Sequence, residues 1–408
     1  MTNPPLVASG ESYDLIIVGA GPAGLSTALH LARLAPHLLP RTLILEKDRH
    51  PRPKLCGGGI LPDGERILEA LGLDLTEVPH VDVTRAHFDF DGQGFCLHPD
   101  PTRPYAFRII RRHEFDSWLA GKARAAGVTI LEETKVLRLT REEEGVVLET
   151  TRGNFRARAV VGADGSHGIV RRSIIGREPT HSARLLEVVT PVEERASTHP
   201  QNESCFDFFV VPLGIQGYTW DFPALEKGLP VRVRGIFDFN GIRRGNALSL
   251  REGLAREFNR HGLELSEHEL QGHPIRWFKA QQPVSAPRML LVGDAAGSDA
   301  LYGEGISLAL GYGALAARIL WHAFDRQDFS FRTYRPALLR SQMGRSLRWR
   351  TFLAMVFYRL QPVWFQKFAW RRLCWLIRAV MGRFVIGWVG RQQQRDTFNG
   401  KRGSSPRS

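Results

Sequence analysis

Cysteine is scarce in this chain. Four residues, Cys56, Cys96, Cys205 and Cys374, are spread over 408 positions and form no C-x-x-C pair, which argues against a disulfide-stapled scaffold and against a zinc ribbon. Residues 1–12 lack the apolar stretch of a secretion signal, and with so few cysteines the expected setting is the reducing cytoplasm. No stretch approaches the roughly 18–20 uncharged apolar residues that cross a bilayer, and the histidines show no metal-ligand spacing. Acidic side chains are missing from one region altogether. Residues 329–395 hold 14 Arg or Lys and no Asp or Glu, so that residues 1–328 carry a net charge of −3 in a chain whose total is +13. A basic excess confined to one end marks a local partner surface rather than a generally cationic protein. At 43% hydrophobic and 24% charged residues, the remainder is ordinary for a chain with a large buried core, and disorder is excluded.

The first element is a continuous apolar run, Asp14–Val18, leading into Gly19-Ala-Gly-Pro-Ala-Gly24 and then into apolar residues at helical spacing through Leu34. This pattern is strand, tight turn, helix. A second apolar strand, Thr42–Glu46, ends in an acid 22 positions after Gly24, the spacing of a parallel βαβ unit that binds a dinucleotide. In that reading Gly19 permits the turn, Gly21 lets the backbone approach a pyrophosphate, and Gly24 allows close helix–strand packing. The helix N-terminus holds the phosphates and Glu46 accepts from ribose hydroxyls. These residues alone leave NAD and FAD both open.

Further along, a helix is expected over 63–71 and another over Arg112–Ala126, with short strands at His87–Phe90, Phe107–Ile110, Val128–Leu131, Lys135–Thr140, Val146–Thr151 and Ala159–Val161. Residues 184–240 read as β-structure interrupted by Pro and Gly, with a sheet face open to solvent or ligand. Met289–Val292 is a strand before a glycine-rich turn, and a long helix of small residues follows over Ile306–Ala323. Beyond 335 the pattern is helical, aromatic and basic, with a frayed tail after Arg395.

Two of these strands run into Gly/Asp turns, Asp164-Gly165 within Val160–Arg171 and Gly293-Asp294 within Leu291–Gly297. With the first glycine motif and with Arg112 in Arg112-His-Glu-Phe-Asp116, they resemble the aromatic-hydroxylase-like superfamily of FAD enzymes over residues 14 to about 320. The resemblance implies FAD as cofactor. It places Gly293 and Asp294 on the ribitol, Asp164 and Gly165 where flavin and reductant meet, and Arg112 in contact with the cofactor. A helix starting near Gly305 would turn its positive dipole end toward the ring and favour an anionic reduced flavin. No second G-x-G-x-x-G unit exists, so the reductant, NADPH or a reduced carrier protein, is expected to bind transiently.

Pro53-Lys-Leu-Cys-Gly-Gly-Gly-Ile-Leu-Pro62, Gly217-Tyr-Thr-Trp-Asp-Phe-Pro223 and Gly303-Glu-Gly-Ile306 are similar to signatures of the geranylgeranyl reductases. That resemblance implies saturation of isoprenoid double bonds on a polyprenyl lipid, quinone or pigment tail. Cys56, beside Gly57 and Gly58, is then a candidate proton donor or gate; it also fits a small buried turn residue. Tyr218, Trp220 and Phe222 alternate along one strand and offer either a prenyl-binding face or a plain aromatic core. Many relatives carry a lysine after the Phe-Pro, whereas this chain has Ala224 and its nearest lysine is Lys227, which leaves open a tail without a diphosphate.

The C-terminal region combines Trp349, Trp364, Trp370, Trp375 and Trp388 with scattered arginines. Lys367, Arg371 and Arg378 share one helical face, and Trp364, Phe368 and Trp375 another. The pattern suits an interfacial helix on anionic lipid, or a helix packed on the enzyme's own core. No nucleic-acid module accompanies it, so nucleic acid is not an expected partner. The expected location is cytoplasmic, peripheral on the inner membrane face. The expected fold is α/β, with a Rossmann-like FAD-binding domain in three parts (1–80, 111–180 and 281–330). An antiparallel-sheet substrate domain is inserted from 81–110 and 181–280, and 331–408 forms a C-terminal helical region. Two rival activities remain: a flavin monooxygenase or halogenase on the same scaffold, and a membrane-associated flavin electron carrier with no organic substrate of its own.

Overall fold

The computed structural model describes residues 12–98, 102–176, 182–192, 202–242, 248–382 and 387–389; the expected frayed tail after Arg395 lies outside them. The chain opens with β1 (Ser12–Val18), α1 (Pro22–Leu34) and β2 (Thr42–Leu45), joined between α1 and β2 by a 3-10 turn over Pro36–Arg41. It continues through β3 (Gly59–Ile60), α2 (Pro62–Ala70), β4 (His80–Val83), β5 (Arg85–Phe90), β6 (Gln93–Leu97), β7 (Phe107–Ile110), α3 (Arg112–Ala125), β8 (Thr129–Leu131), β9 (Val136–Arg141), β10 (Val146–Thr150) and β11 (Gly153–Gly162). After α4 (Ile169–Ile175) come β12 (Ala183–Pro191), β13 (Glu203–Asp207), β14 (Gly217–Glu226), β15 (Leu229–Asp238), α5 (Leu250–Arg260) and β16 (Gln271–Ile275). The last part holds β17 (Ser285–Ala286), β18 (Met289–Leu291), α6 (Ile306–Arg326), α7 (Tyr334–Arg340), α8 (Gln342–Phe357), α9 (Val363–Arg372) and α10 (Cys374–Val380).

The first sheet has the order β17-β18-β11-β1-β2-β8; β18, β11, β1, β2 and β8 run parallel to one another, and β17 pairs antiparallel with β18. Its central strands are apolar without alternation, Leu15, Ile16 and Ile17 being fully buried, because helices cover a parallel sheet on both faces. Strands β9 and β10 extend one side as an antiparallel ribbon. Helices α1 and α6 pack against each other on this sheet. Helix α6 is long and apolar enough to cross a membrane, yet 72% of its apolar window is buried inside the protein; it is a core helix.

The inserted sheet has the order β16-β12-β15-β14-β13-β5-β6. It is mixed rather than purely antiparallel, since β13 pairs parallel with β5 while its other pairings are antiparallel. The long insertion between β5 and β13 brings these two strands side by side in the same direction, a pairing that no local hairpin signal could announce. Phe107–Ile110 does not join this sheet: as β7 it pairs with β3 and β4 in a small third sheet that braces the glycine-rich segment 53–60. The basic C-terminal region is several short helices. Ser341 caps α8 by accepting from the Gly344 N–H at 3.0 Å, and Pro362 stands at the start of α9, so the chain turns at both points.

Candidate functional site

Four turns meet at the C-terminal ends of β18, β11, β1 and β2, the edge at which open parallel sheets bind ligands. Gly19 leaves β1 with φ +107°, and a Cβ there would stand 2.4 Å from the Ala163 carbonyl oxygen. At Gly24 a Cβ would stand 2.1 Å from the Gly19 oxygen. Both glycines are demanded by the packing of α1 on the sheet. Gly21 differs: a Cβ there would meet only the Arg52 guanidinium, at 3.6 Å, so its bare backbone faces a cavity. Gly293 takes φ +59°, and a side chain would press on Ala23 at 2.8 Å.

These turns line a single cavity of about 760 Å³ that continues from the parallel sheet to the inserted one. Glu46, at the end of β2, is buried and its carboxylate accepts from the Ala20 N–H at 2.7 Å and from the Asp48 N–H at 3.1 Å. A carboxylate has about four acceptor positions, so capacity remains toward the cavity. The N-termini of α1 and α6 both open onto it through Gly21, Pro22, Gly305 and Ile306, and both dipoles favour negative charge there. Gly303, at φ +65°, packs on the Phe237 ring, where a Cβ would approach to 3.1 Å.

Arg112 grips Asp116 with two hydrogen bonds of 2.8 Å, one from Nε and one from Nη2. Near it, Lys54 and Asp294 also line the cavity. Lys54 donates to His273 Nε2 at 2.8 Å. Burial and Lys54 push the His273 imidazole down to about 4, so it is the neutral acceptor of that bond. Burial and Arg112 in turn lower the Lys54 ammonium, with Asp294 opposing. Asp164 turns toward its own chain: Oδ2 accepts from the Val170 N–H at 2.9 Å and caps α4, burial raises the carboxyl to about 6, and its buried Oδ1 has no partner. Gly165, at φ +76°, has open space where a side chain would be.

The segment 54–58 crosses the cavity between its two ends. Cys56 Sγ accepts from the Gly58 N–H at 3.4 Å, and burial raises the thiol's pKa while Arg112 opposes. At neutral pH it is therefore a thiol and holds a proton. At Gly57 a Cβ would press on the Phe222 ring at 3.1 Å, and at Gly58, with φ +82°, it would stand 2.0 Å from the Ile110 oxygen. Gly57 thus lets the loop lie on the aromatic wall, and Gly58 lets it lie against β7.

That wall is the face of β14 bearing Tyr218, Trp220 and Phe222, all of which line the cavity and are nearly fully buried. Phe206 joins them, with its ring centroid 5.0 Å from that of Phe222 and 5.4 Å from that of Tyr218. The Tyr218 hydroxyl donates to the Tyr302 carbonyl at 2.5 Å, whereas the buried Trp220 Nε1 has no partner. On the opposite face of β14, Asp221 pairs with Arg232 at 2.7 Å, so alternation separates an aromatic side from an ionic one. Ala224 ends the aromatic face, and Lys227 is exposed in the β14–β15 turn and not among the residues lining the cavity.

The cavity brings together Gly19, Gly21, Glu46, Cys56, Gly57, Gly58, Arg112, Asp164, Gly165, Gly293, Asp294, Gly303, Gly305 and the three aromatics, whereas Gly24 lies outside its lining, in the contact between α1 and the sheet. Several contributors carried no signal of their own. Lys54 lay inside a recognised motif without a role, and His273 is remote in sequence. Glu187, on β12, is buried behind the Cys56 loop, where it accepts from the Cys56 N–H; burial pushes its carboxyl up to about 7, and its Oε2 has no partner. Arg350 reaches the cavity from α8, pairing with the fully buried Asp299 at 2.7 Å and with the partly buried Glu304 at 3.4 Å. Such an ion cluster joins the loop before α6 to helix α8, which only folding makes neighbours.

A family model described as an FAD binding domain matches residues 12–298. The chain is 27% identical to digeranylgeranylglycerophospholipid reductase 3 of Methanosphaera stadtmanae, across 78% of this chain and 80% of the relative. It is 28% identical to menaquinone reductase of Mycobacterium tuberculosis, across 86% of each. Among solved structures, a geranylgeranyl bacteriochlorophyll reductase-like protein from Thermoplasma acidophilum superimposes with a TM-score of 0.73 at 22% identity, covering 92% of this chain and 93% of that one.

Proposed function

The chain belongs to the FAD binding domain family, and from that premise we propose that it is an FAD-dependent oxidoreductase reducing isoprenoid C=C bonds of a polyprenyl lipid, quinone or pigment tail. One observation carries this reading: a single cavity joins a dinucleotide cradle to a wall of aromatic rings, with a cysteine–glycine loop between them. The reductases of polyprenyl lipid and of menaquinone among its relatives support the same substrate class.

The residues present fit FAD. Space at Gly21 and the two helix N-termini suit a pyrophosphate, Glu46 suits the ribose hydroxyls, and the Asp294 carboxylate suits the ribitol. Lys54 and Arg112 add positive charge beside it. Bound reduced FAD supplies the hydride for saturating a double bond. The protein's own task is to hold an apolar tail in register and to keep water out, and Tyr218, Trp220 and Phe222 do so with rigid rings. The carbon that does not take hydride needs a proton. Cys56 holds one at Sγ at neutral pH, with Glu187 buried behind it as a second protonated group near neutrality. Ala224 in place of a lysine leaves the aromatic wall without a cation, which favours a tail lacking a diphosphate. NADPH or a reduced carrier protein is the proposed electron source, docking transiently, and the basic aromatic C-terminal surface supports work at the cytoplasmic face of a membrane.

The test is anaerobic. Dithionite-reduced holoprotein is incubated with geranylgeranyl lipids and prenylquinones, and products are read by mass spectrometry. The expected result is a gain of paired hydrogens with flavin reoxidation. No mass change without oxygen, followed by gain of oxygen or halogen once air and halide are admitted, would contradict the reductase reading in favour of a monooxygenase or halogenase.

A further inference from the structure

The outer surface of the C-terminal helices and the far end of the cavity are two sides of one wall. Helices α9 and α10 lie against β6, and the inner residue Trp370 is 2% exposed, stacked on Phe95 at 6.0 Å and tilted against Phe208 at 4.9 Å between ring centroids. Their outward side is unusually apolar: Trp364 is 72% exposed, Trp375 66%, and Phe368 and Leu376 are exposed as well. Arg371, Arg372 and Arg378 are exposed among them, and Lys367 pairs with Asp91 of the β5–β6 turn at 3.3 Å. Directly after α10, Met381 lines the cavity together with Leu97 of β6. Its sulfur accepts from the Tyr302 hydroxyl at 3.2 Å, and the Tyr302 carbonyl accepts from Tyr218. Met381, next to the end of α10, is thus linked through Tyr302 to the aromatic wall.

We propose that the outward face of α9–α10 beds into an anionic lipid bilayer, and that Met381 and Leu97 form the door through which a bilayer-held tail enters the cavity. The door rests on the prenyl-reductase reading; the docking face does not. Large exposed aromatics interleaved with arginines and no acid are the composition of an interfacial helix, and each cation near an anionic surface adds attraction. A second copy is disfavoured as occupant, since two such faces would oppose like charges. Residues 1–328 carry −3, so an anionic membrane attracts only the C-terminal side and the molecule's orientation is set. A tail transferred directly from bilayer to cavity never crosses water, which removes the desolvation penalty of extracting a long isoprenoid.

Full-length holoprotein is tested by flotation with vesicles of phosphatidylcholine alone or with phosphatidylglycerol, in the absence of substrate. Binding to the anionic vesicles is expected to be at least roughly tenfold tighter and to weaken with salt. The double variant Trp364→Glu/Trp375→Glu, with both positions exposed, is expected to lose roughly tenfold or more of that binding while keeping its flavin content and Tm. Equal binding to both vesicle types, no binding, or a variant that floats like the wild type overturns docking. A concentration-dependent dimer that buries this face instead assigns it to a second copy and also overturns docking. For the door, Met381→Trp is expected to slow reduction of a vesicle-held prenyl lipid roughly tenfold with vesicle binding intact, and an unchanged rate removes it. A protein that floats but reduces no prenyl lipid in vesicles or detergent keeps the docking face and sinks the functional reading and the door with it. One that reduces detergent-dispersed lipid but ignores vesicles does the reverse.

Discussion

The two ends of the cavity are made of different materials. At the parallel sheet the working parts are backbone: glycines that let strand, turn and helix close on one another, and helix termini that present N–H groups. At the inserted sheet they are large side chains, Tyr218, Trp220, Phe222 and Phe206, whose rings form the surface. At Gly19 and Gly24 the cradle tolerates almost no added volume, because the atoms in the way are carbonyl oxygens that cannot move. A ring wall tolerates reshaping, because its neighbours are side chains. The first end should be nearly invariant to function, and the second should set which tail is accepted.

The sharpest way to break this comparison is Gly24→Val. Its Cβ would stand 2.1 Å from the Gly19 oxygen, so α1 must move off the sheet and carry the glycine turn proposed to hold the cofactor with it. Purified variant is expected to lose FAD, with affinity down roughly a hundredfold or more. Retention of full flavin by absorbance would show that this glycine is not needed for close packing. Next in size is Phe222→Ala at the other end. Deleting a buried ring costs about 3 kcal/mol or more of stability, measurable by denaturant unfolding, while FAD content should be unchanged and the loss in turnover should fall on binding of the tail. If FAD leaves with the ring, the two ends are not separable as described.

The smallest effect is expected at the junction, with Glu187→Gln. The carboxyl sits at about 7 in the folded protein against an ordinary 4.5, because burial disfavours its charge. Between those values the folded state holds a proton that the unfolded state has released, so this group's contribution to stability falls as pH rises from 4.5 through 7. Glutamine removes that dependence. The variant is expected to match the wild type near pH 4.5 and to gain on the order of 3 kcal/mol relative to it above pH 7, read from denaturant midpoints across the range. A constant difference at all pH values would show that Glu187 is ionised throughout.

The same contrast explains what could be read in advance. Gly19, Gly21, Gly24, Glu46 and the Gly293-Asp294 turn are local: each lies at or within a few residues of the end of an apolar strand, so sequence spacing carries their geometry. The aromatic face of β14 was legible for the same reason, since alternation puts Tyr218, Trp220 and Phe222 on one side. What the spacing could not convey is pairing between distant segments. The parallel β5–β13 contact, the small sheet that takes up Phe107–Ile110, the Lys54–His273 bond across 219 positions and the Arg350–Asp299 pair all depend on which segments become neighbours. The five C-terminal tryptophans show this most plainly. Composition made them alike, yet Trp370 and Trp388 are core residues while Trp349, Trp364 and Trp375 face outward.

Cofactor and tail are proposed to occupy one cavity and to meet at the Cys56–Gly58 loop. The most direct test is an anaerobic titration of oxidised holoprotein with a fully saturated geranylgeranyl lipid, which cannot be reduced, while the visible flavin band is followed. A saturable shift of that band is expected in the wild type, with roughly tenfold weaker saturation in Trp220→Ala at the same flavin content. A tail that binds without disturbing the flavin, or binds equally well to both proteins, would contradict the shared cavity.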